Sequence, residues 1–174
     1  MESSVVEVLV PNVAHAMRDR LEPVAMHLQN SYANWGGGLA KALVTGADAH
    51  KDWIDAMHID ECHSEDKGEA RLGSFSTSGS LDERVIVNLY GQLSHKDPAR
   101  LDDMEMAIRK ALGFDGLSGV ARIATYRLGC GSAGLSWDSV KPLLESLAEE
   151  FGIQFIVYHA DSGGKGKVKG GPAA

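Results

Sequence analysis

The chain has 174 residues, a formal net charge of −7, and is 44% hydrophobic and 24% charged, which is the profile of a single globular domain with room for a real core. The acid excess excludes general affinity for nucleic-acid backbones, although backbone amides could still hold a ligand phosphate locally. No apolar run approaches the roughly 18–20 residues of a membrane span. Two cysteines, Cys62 and Cys130, make no disulfide framework, and the opening Met-Glu-Ser-Ser has no basic-then-apolar export pattern. The expectation is a cytoplasmic domain with reduced thiols and no membrane partner.

Val5 to Val10 is a β-branched run and the first predicted strand. Val13 to Glu22 reads either as a short helix exposing His15, Arg18, Asp19 and Arg20, or as an irregular link. Val24 to Leu28 is the next strand, and it leads into HLQNSYANWGGGLAKALVT, from His27 to Thr45. That stretch holds Asn30, Ser31, Asn34 and the consecutive glycines Gly36, Gly37 and Gly38. It then becomes helical, with Leu39, Ala42 and Leu43 on one face. Ala49 to His58 reads as a short helix, and Asp60 to Glu69 as a charged surface loop. Ala70 to Thr77 is a strand carrying Leu72 and Phe75, closed by a Ser78-Gly79-Ser80 turn.

Arg84 to Tyr90 is apolar enough for a central strand. Pro98 to Leu112 places Leu101, Met104, Ile108 and Leu112 at helical spacing. Val120 to Tyr126 is another strand, followed by a second glycine-rich loop from Arg127 to Leu135. Ser136 is the expected N-cap of a helix reaching about Phe151, with Trp137, Val140, Leu144, Leu147 and Phe151 as its buried stripe. Ile153 to Tyr158 closes the sheet, and the Gly/Lys-rich stretch from Asp161 onward is read as a disordered tail outside a 1–160 domain. Alternating strands and helices imply a three-layer α/β/α sandwich with a parallel or mixed sheet.

Strand, glycine loop, helix is the arrangement in which free backbone N–H groups converge on an anion; it is equally a tight connection and nothing more. Here it occurs twice, at Gly36–Gly38 and at Gly129–Gly134. Ligands of open α/β sheets sit where such loops face each other beyond the strand ends. The chain contains neither G-x-G-x-x-G nor a Gly-Lys-Ser/Thr pair, so neither a dinucleotide-binding dehydrogenase nor a P-loop nucleotidase is favoured.

The two loops also carry a family resemblance. His27, Asn30, Trp35, Gly36, Gly38, Leu39 and Ala40 match, without a gap, the first ligand loop of macro domains, the ADP-ribose-binding family. The likeness is to the branch of ADP-ribose 1''-phosphate phosphatases and deacylating macro domains. RLGCGSAGLSWDSVKPLLE, from Arg127 to Glu145, is similar to that family's second loop. The resemblance implies a mixed six- or seven-stranded sheet, a monomer without cofactor, and ADP-ribose as ligand. It assigns diphosphate and distal-ribose contacts to Asn34, Trp35, Gly36, Gly37, Gly38 and Leu39, and to Gly129, Cys130, Gly131, Ser132, Ala133 and Gly134. Tyr158 is expected near the adenine, or else as a simple sheet-edge residue.

The chain also departs from the family pattern. The Asp that usually meets adenine has no counterpart in Pro-Asn-Val-Ala-His, although Asp19 is near, so the purine is expected to be held mainly by stacking. Gln92 and Ala133 stand where the deacylating branch has a Lys and an Asp, so that particular mechanism is not expected.

For chemistry at the distal ribose, His27 and Asn30 are the candidates. His27 is either a general base at the mouth of the loop or the buried end of a strand. Asn30 either orients a hydroxyl or water, or caps the turn. His95 reaches the cleft rim or is merely solvated. Cys130 has no basic partner adjacent in sequence and reads as a loop filler rather than a nucleophile. His58, Cys62, His63 and Glu65 lack zinc-finger spacing, so no metal is expected. Trp35 and Trp137 are expected to pack beneath their loops. The two functional readings are hydrolysis of an ADP-ribose derivative and non-catalytic recognition of ADP-ribose.

Overall fold

Apolar runs that bury both faces of a strand need a helix layer on each side, and the sheet has them. A computed structural model describes residues 3–46, 49–62 and 67–160; the tail lies outside these. The strands are β1 (Val5–Val10), β2 (Val24–Asn30), β3 (Phe75–Ser80), β4 (Arg84–Gln92), β5 (Arg122–Tyr126) and β6 (Gln154–Ala160). They form one six-stranded sheet in the order β1-β6-β5-β2-β4-β3. All neighbours run parallel except β3, which pairs antiparallel with β4 at one edge. This is the expected mixed sheet.

The helices are α1 (Val13–Arg18), α2 (Gly38–Val44), α3 (Lys51–Cys62), α4 (Leu101–Leu112) and α5 (Trp137–Phe151). Because strand side chains alternate, the two faces bury different sets. Val24, Met26, Val85, Val87, Leu89, Ile123, Phe155 and Val157 pack with Met104, Ile108, Val140, Leu144 and Leu147 of α4 and α5. Ala25, Ile86, Ala124, Ile156 and Tyr158 pack with Met17, Leu43 and Trp53 of α1, α2 and α3. Each fully buried Leu, Ile, Val, Phe or Met contributes about 1.5–3 kcal/mol relative to exposure.

Several expectations are corrected. Val13 to Glu22 resolves to the six-residue α1, and Arg18 is buried, donating from its guanidinium to Ala42 O at 2.6 Å. The helix expected to end at His58 runs on to Cys62, so Asp60 belongs to its last turn and is fully buried. Ser78, Gly79 and Ser80 lie within β3 rather than in the turn. Ser136 does precede α5, but its hydroxyl meets Ser139 Oγ at 3.0 Å and makes no capping bond to the backbone.

The chain turns in opposite directions after β2 and β5: from β2 it goes on to β3 and β4, from β5 to β6 and the far edge. Neighbouring strands of that kind leave a crevice beyond their carboxyl ends. At this point the ladder is short: β2 and β5 share a single registered pair, Ala25 with Ala124. Beyond it, side chains replace the ladder. Thr125 Oγ1 donates to Met26 O at 2.9 Å, and Leu28 N–H donates to the Tyr126 hydroxyl at 3.0 Å. Tyr126→Phe strips Leu28 of its acceptor and is expected to cost about 1–3 kcal/mol of stability. Urea denaturation of the variant measures that loss; a difference below 0.5 kcal/mol, taken as roughly the scatter of neutral substitutions, would show that the bond does not hold the splayed strands.

Candidate ligand cleft

The β2 strand delivers the first loop. Asn30, at its end, is 4% exposed and holds a tight turn on both sides of its amide. Its Oδ1 accepts from the N–H groups of Tyr32 (3.0 Å) and Asn34 (3.2 Å), and its Nδ2 donates to Asn34 O at 3.0 Å. The turn-capping alternative for Asn30 is therefore the observed geometry. Asn34 is exposed; its Oδ1 accepts from Gly36 N–H at 2.8 Å, and its Nδ2 faces His95 Nδ1 at 3.0 Å.

Gly36, Gly37 and Gly38 are all exposed. Gly38 has φ of +60°, a left-handed conformation in which other residues are strained. Gly37 has extended backbone (φ −153°), and a Cβ there would meet nothing within 4 Å. Leu39 and Ala40, half-buried, pack on the α1–α3 core layer.

His27 does not stand at the mouth of this loop. It is 1% exposed, with the Trp35 ring tilted against it at 4.8 Å and Trp53 edge-on at 5.3 Å. The register pairs His27 with Asn88 across β2 and β4, and Ser76 with Asn88 across β3 and β4. Asn88 Nδ2 donates to Ala56 O (3.2 Å) and Ser76 Oγ (3.0 Å), which turns its Oδ1 toward His27. His27 Nε2–H donates to that oxygen. Burial pushes the imidazole pKa down to about 4, against the opposing pull of the Asn88 bond and of Asp60. A neutral ring sealed under two indoles has no path to a water molecule.

Beneath the loop lies a buried anion that sequence reading assigned to a surface loop. Asp60 Oδ1 accepts from Arg71 (2.6 Å) and from the Tyr90 hydroxyl (2.6 Å). Its Oδ2 accepts from Trp35 Nε1 (2.8 Å) and Gln29 Nε2 (3.2 Å), and Arg71 also donates to Asp60 O at 2.9 Å. Arg71 stacks over the Tyr90 ring at 4.3 Å. Burial, reinforced by the Asp60 charge, pushes the Tyr90 hydroxyl pKa well above its ordinary value. Gln29 Nε2 also reaches Asn34 O at 3.2 Å, so Asp60 holds one residue bonded to the turn, Gln29, and the residue that follows Asn34 in the chain, Trp35. One signal was present in the sequence: Trp53, Ala56 and Asp60 share a helical face once α3 is extended.

The second loop follows β5. Leu135 N–H donates to Gly129 O at 2.8 Å, Gly134 N–H to Gly131 O at 3.1 Å, and Cys130 N–H to Arg127 O at 3.1 Å. Gly131, Ser132 and Gly134 are exposed, whereas Gly129 and Ala133 are buried. Cys130 is half-buried; burial raises its thiol pKa, the wrong direction for a nucleophile. Trp137 is pinned beside this loop by its Nε1–H bond to Glu7 at 3.0 Å, and Arg127 and Lys141 pair with the same carboxylate at 3.2 and 2.9 Å. Tyr158 is 5% exposed and belongs to the α1–α3 core layer, a placement that takes its ring away from the open surface.

Residues 93–100 tie the two loops together. Ser31 N–H donates to Gln92 O (2.9 Å) and Leu93 O (3.1 Å), and Ala99 N–H donates to Ala133 O (2.8 Å). The Gln92 side chain is turned inward to Asp97 O at 2.6 Å. The structure thus brings Asn34, Gly36–Gly38, His95 and the second loop to one end of the sheet, and sets His27 and Tyr158 beneath it. His63 and Glu65 of the rejected metal cluster lie outside the described residues. No helix among the described residues is long and apolar enough to cross a membrane.

No protein-family model matches the chain, and no curated protein matches it by sequence. Solved structures do. A Bacteroides thetaiotaomicron protein of unknown function superposes with a TM-score of 0.73 at 20% identity, covering 91% of this chain and 99% of that one. The macrodomain of Mycobacterium tuberculosis DarG gives 0.71 at 17% identity, covering 90% and 98%. Thermosipho africanus DarTG, solved in complex with ADP-ribose, gives 0.66 at 19% identity, covering 82% of this chain and 39% of that one. The chain has the macrodomain fold.

Two outcomes follow from the buried layer. The folded His27 pKa of about 4 lies below the ordinary 6.5, so the unfolded chain takes up the proton first. Stability is full above the ordinary value and falls as pH drops toward the folded one, by about 3 kcal/mol in total. NMR titration is expected to show the His27 ring neutral at a pH of about 5; a midpoint near the ordinary value would contradict its burial. Separately, Asp60→Ala removes at once the carboxylate that accepts from Arg71, Tyr90, Trp35 and Gln29, and is expected to destabilise by about 3–5 kcal/mol in denaturant unfolding. A loss below about 1 kcal/mol, the scale of an exposed pair, would remove Asp60 from the centre of the network.

Proposed function

We propose that this chain binds ADP-ribose, with the diphosphate against the Gly36–Gly38 and Gly129–Gly134 loops and the distal ribose toward Asn34. One observation carries the reading. Neither backbone conformation nor packing requires glycine at position 37, since its φ is −153° and a Cβ would meet nothing within 4 Å. What a side chain there would fill is the open space over the loop, the space a phosphate needs to reach backbone N–H groups. The T. africanus DarTG complex with ADP-ribose, on the same fold, supports the choice of ligand.

Recognition without chemistry by His27 is the form that the geometry supports best, because His27 is buried and Asn30 is committed to the turn. Hydrolysis at the distal ribose, of a 1''-phosphate or an ADP-ribosyl linkage, is the second reading. It is favoured by the exposed pair of Asn34 and His95 at the same rim, two polar side chains able to orient a water molecule.

Titration calorimetry with ADP-ribose tests the first reading. Gly37→Leu is expected to leave the melting temperature unchanged and to weaken binding by at least about tenfold, or about 1.4 kcal/mol. Unaltered affinity in that variant refutes the loop assignment. Phosphate release from ADP-ribose 1''-phosphate tests the second: an Asn34→Ala-sensitive turnover supports hydrolysis, while binding with no turnover leaves recognition alone.

A further inference from the structure

His95 is exposed within residues 93–100, a segment tied at both ends. Leu93 O at its start accepts from Ser31 N–H of the first loop at 3.1 Å, and Ala99 N–H near its end donates to Ala133 O of the second at 2.8 Å. Within it, Ser94 Oγ donates to Asp97 Oδ2 (2.6 Å), Lys96 N–H donates to Ser94 Oγ (3.2 Å), and Gln92 Nε2 donates to Asp97 O (2.6 Å). Such bonds limit where the His95 side chain can sit. The segment carries its imidazole between the two glycine loops that it links.

The protonation pattern of that imidazole follows from its neighbour. Asn34 Oδ1 is occupied by Gly36 N–H at 2.8 Å, so the Asn34 amide turns its NH2 group toward the ring. His95 Nδ1, 3.0 Å away, must then be the acceptor. A neutral imidazole has one donor nitrogen and one acceptor nitrogen, so the proton sits on Nε2. The ring is exposed, and Nε2–H is the donor left for a ligand.

We infer that His95 is a specificity-determining residue of the cleft: its Nε2–H donates a hydrogen bond to an oxygen of the ligand's distal ribose, the end that Asn34 faces. This rests on the ADP-ribose reading above. It gives the chain a means of telling ADP-ribose from ADP that does not depend on the glycine loops, which meet phosphate in both ligands.

The experiment is calorimetric titration of the wild-type protein, His95→Ala and His95→Gln with ADP-ribose and with ADP, the latter by displacement where its heat is small. Because His95 is exposed, melting temperatures are expected to stay the same. His95→Ala is expected to weaken ADP-ribose by about 5–30-fold, the range for one lost hydrogen bond of about 1–2 kcal/mol, and to leave ADP within about twofold. The Gln variant, whose amide nitrogen reaches roughly where Nε2 stood, is expected to recover most of the difference. Undiminished ADP-ribose affinity in His95→Ala overturns the contact. An equal loss for both ligands also overturns it, since His95 would then act only by holding the first loop. If the wild-type protein fails to bind ADP-ribose, the functional reading itself falls, an outcome visible before any variant is made.

Discussion

The first glycine loop depends on a carboxylate buried beneath it. Asp60 has four side-chain donors and sits at full burial. A buried anion is tolerable only when its lone pairs are satisfied and a cation stands beside it. Arg71 supplies the charge, and Tyr90, Trp35 and Gln29 supply the remaining bonds. Two of those donors adjoin the exposed turn at Asn34: Gln29 bonds the Asn34 carbonyl, and Trp35 follows Asn34 in the chain. Rigidity therefore passes from α3 and β4, through one carboxylate, to residues that face solvent. The loop can be glycine-rich and still ordered because its stiffness comes from underneath.

A second constraint decides where an opening exists at all. Parallel strands normally share a continuous ladder, yet β2 and β5 separate after one pair. Thr125 and Tyr126 supply partners to Met26 O and Leu28 N–H at that separation, where buried backbone groups need them. Topology sends the following loops to opposite sides, and side-chain chemistry keeps the space between them from closing into sheet. The cleft is in this sense a property of the sheet, with the loops added to it.

Strand positions and the helices α4 and α5 were legible in the sequence because burial on one or two faces leaves a clear period, as at Met104, Ile108, Val140 and Leu144. Both glycine loops were legible for a similar reason: glycine clusters between a strand and a helix have few causes. The rest was hidden by distance along the chain. Asp60 looks like any acid in a charged stretch until Arg71, Tyr90, Gln29 and Trp35 are brought round it by the fold. The fate of His27 was set by Trp53 and Asn88, neither of which is near it in sequence, so the same residue reads equally well as a base or as a core histidine. His95 was visible as a loop histidine, but its orientation depends on Asn34, 61 residues away.

The polar row formed by His27, Asn88 and Ser76 across three neighbouring strands has a consequence for how the chain finds its register. The sheet's interior strands are apolar on both faces, and such strands would slide past one another at little cost. A shift of one residue between β2 and β4 exchanges faces, which would carry His27 into the layer of Met104 and Leu144 with no acceptor for its N–H. An unpartnered buried donor costs about 1–3 kcal/mol, and Asn88 would be stranded at the same time. The row acts as a key cut into an otherwise smooth surface: alignments that miss it are disfavoured, and the alignment that fits it is the one that also sets Asn30 and Asn34 at the end of the strand.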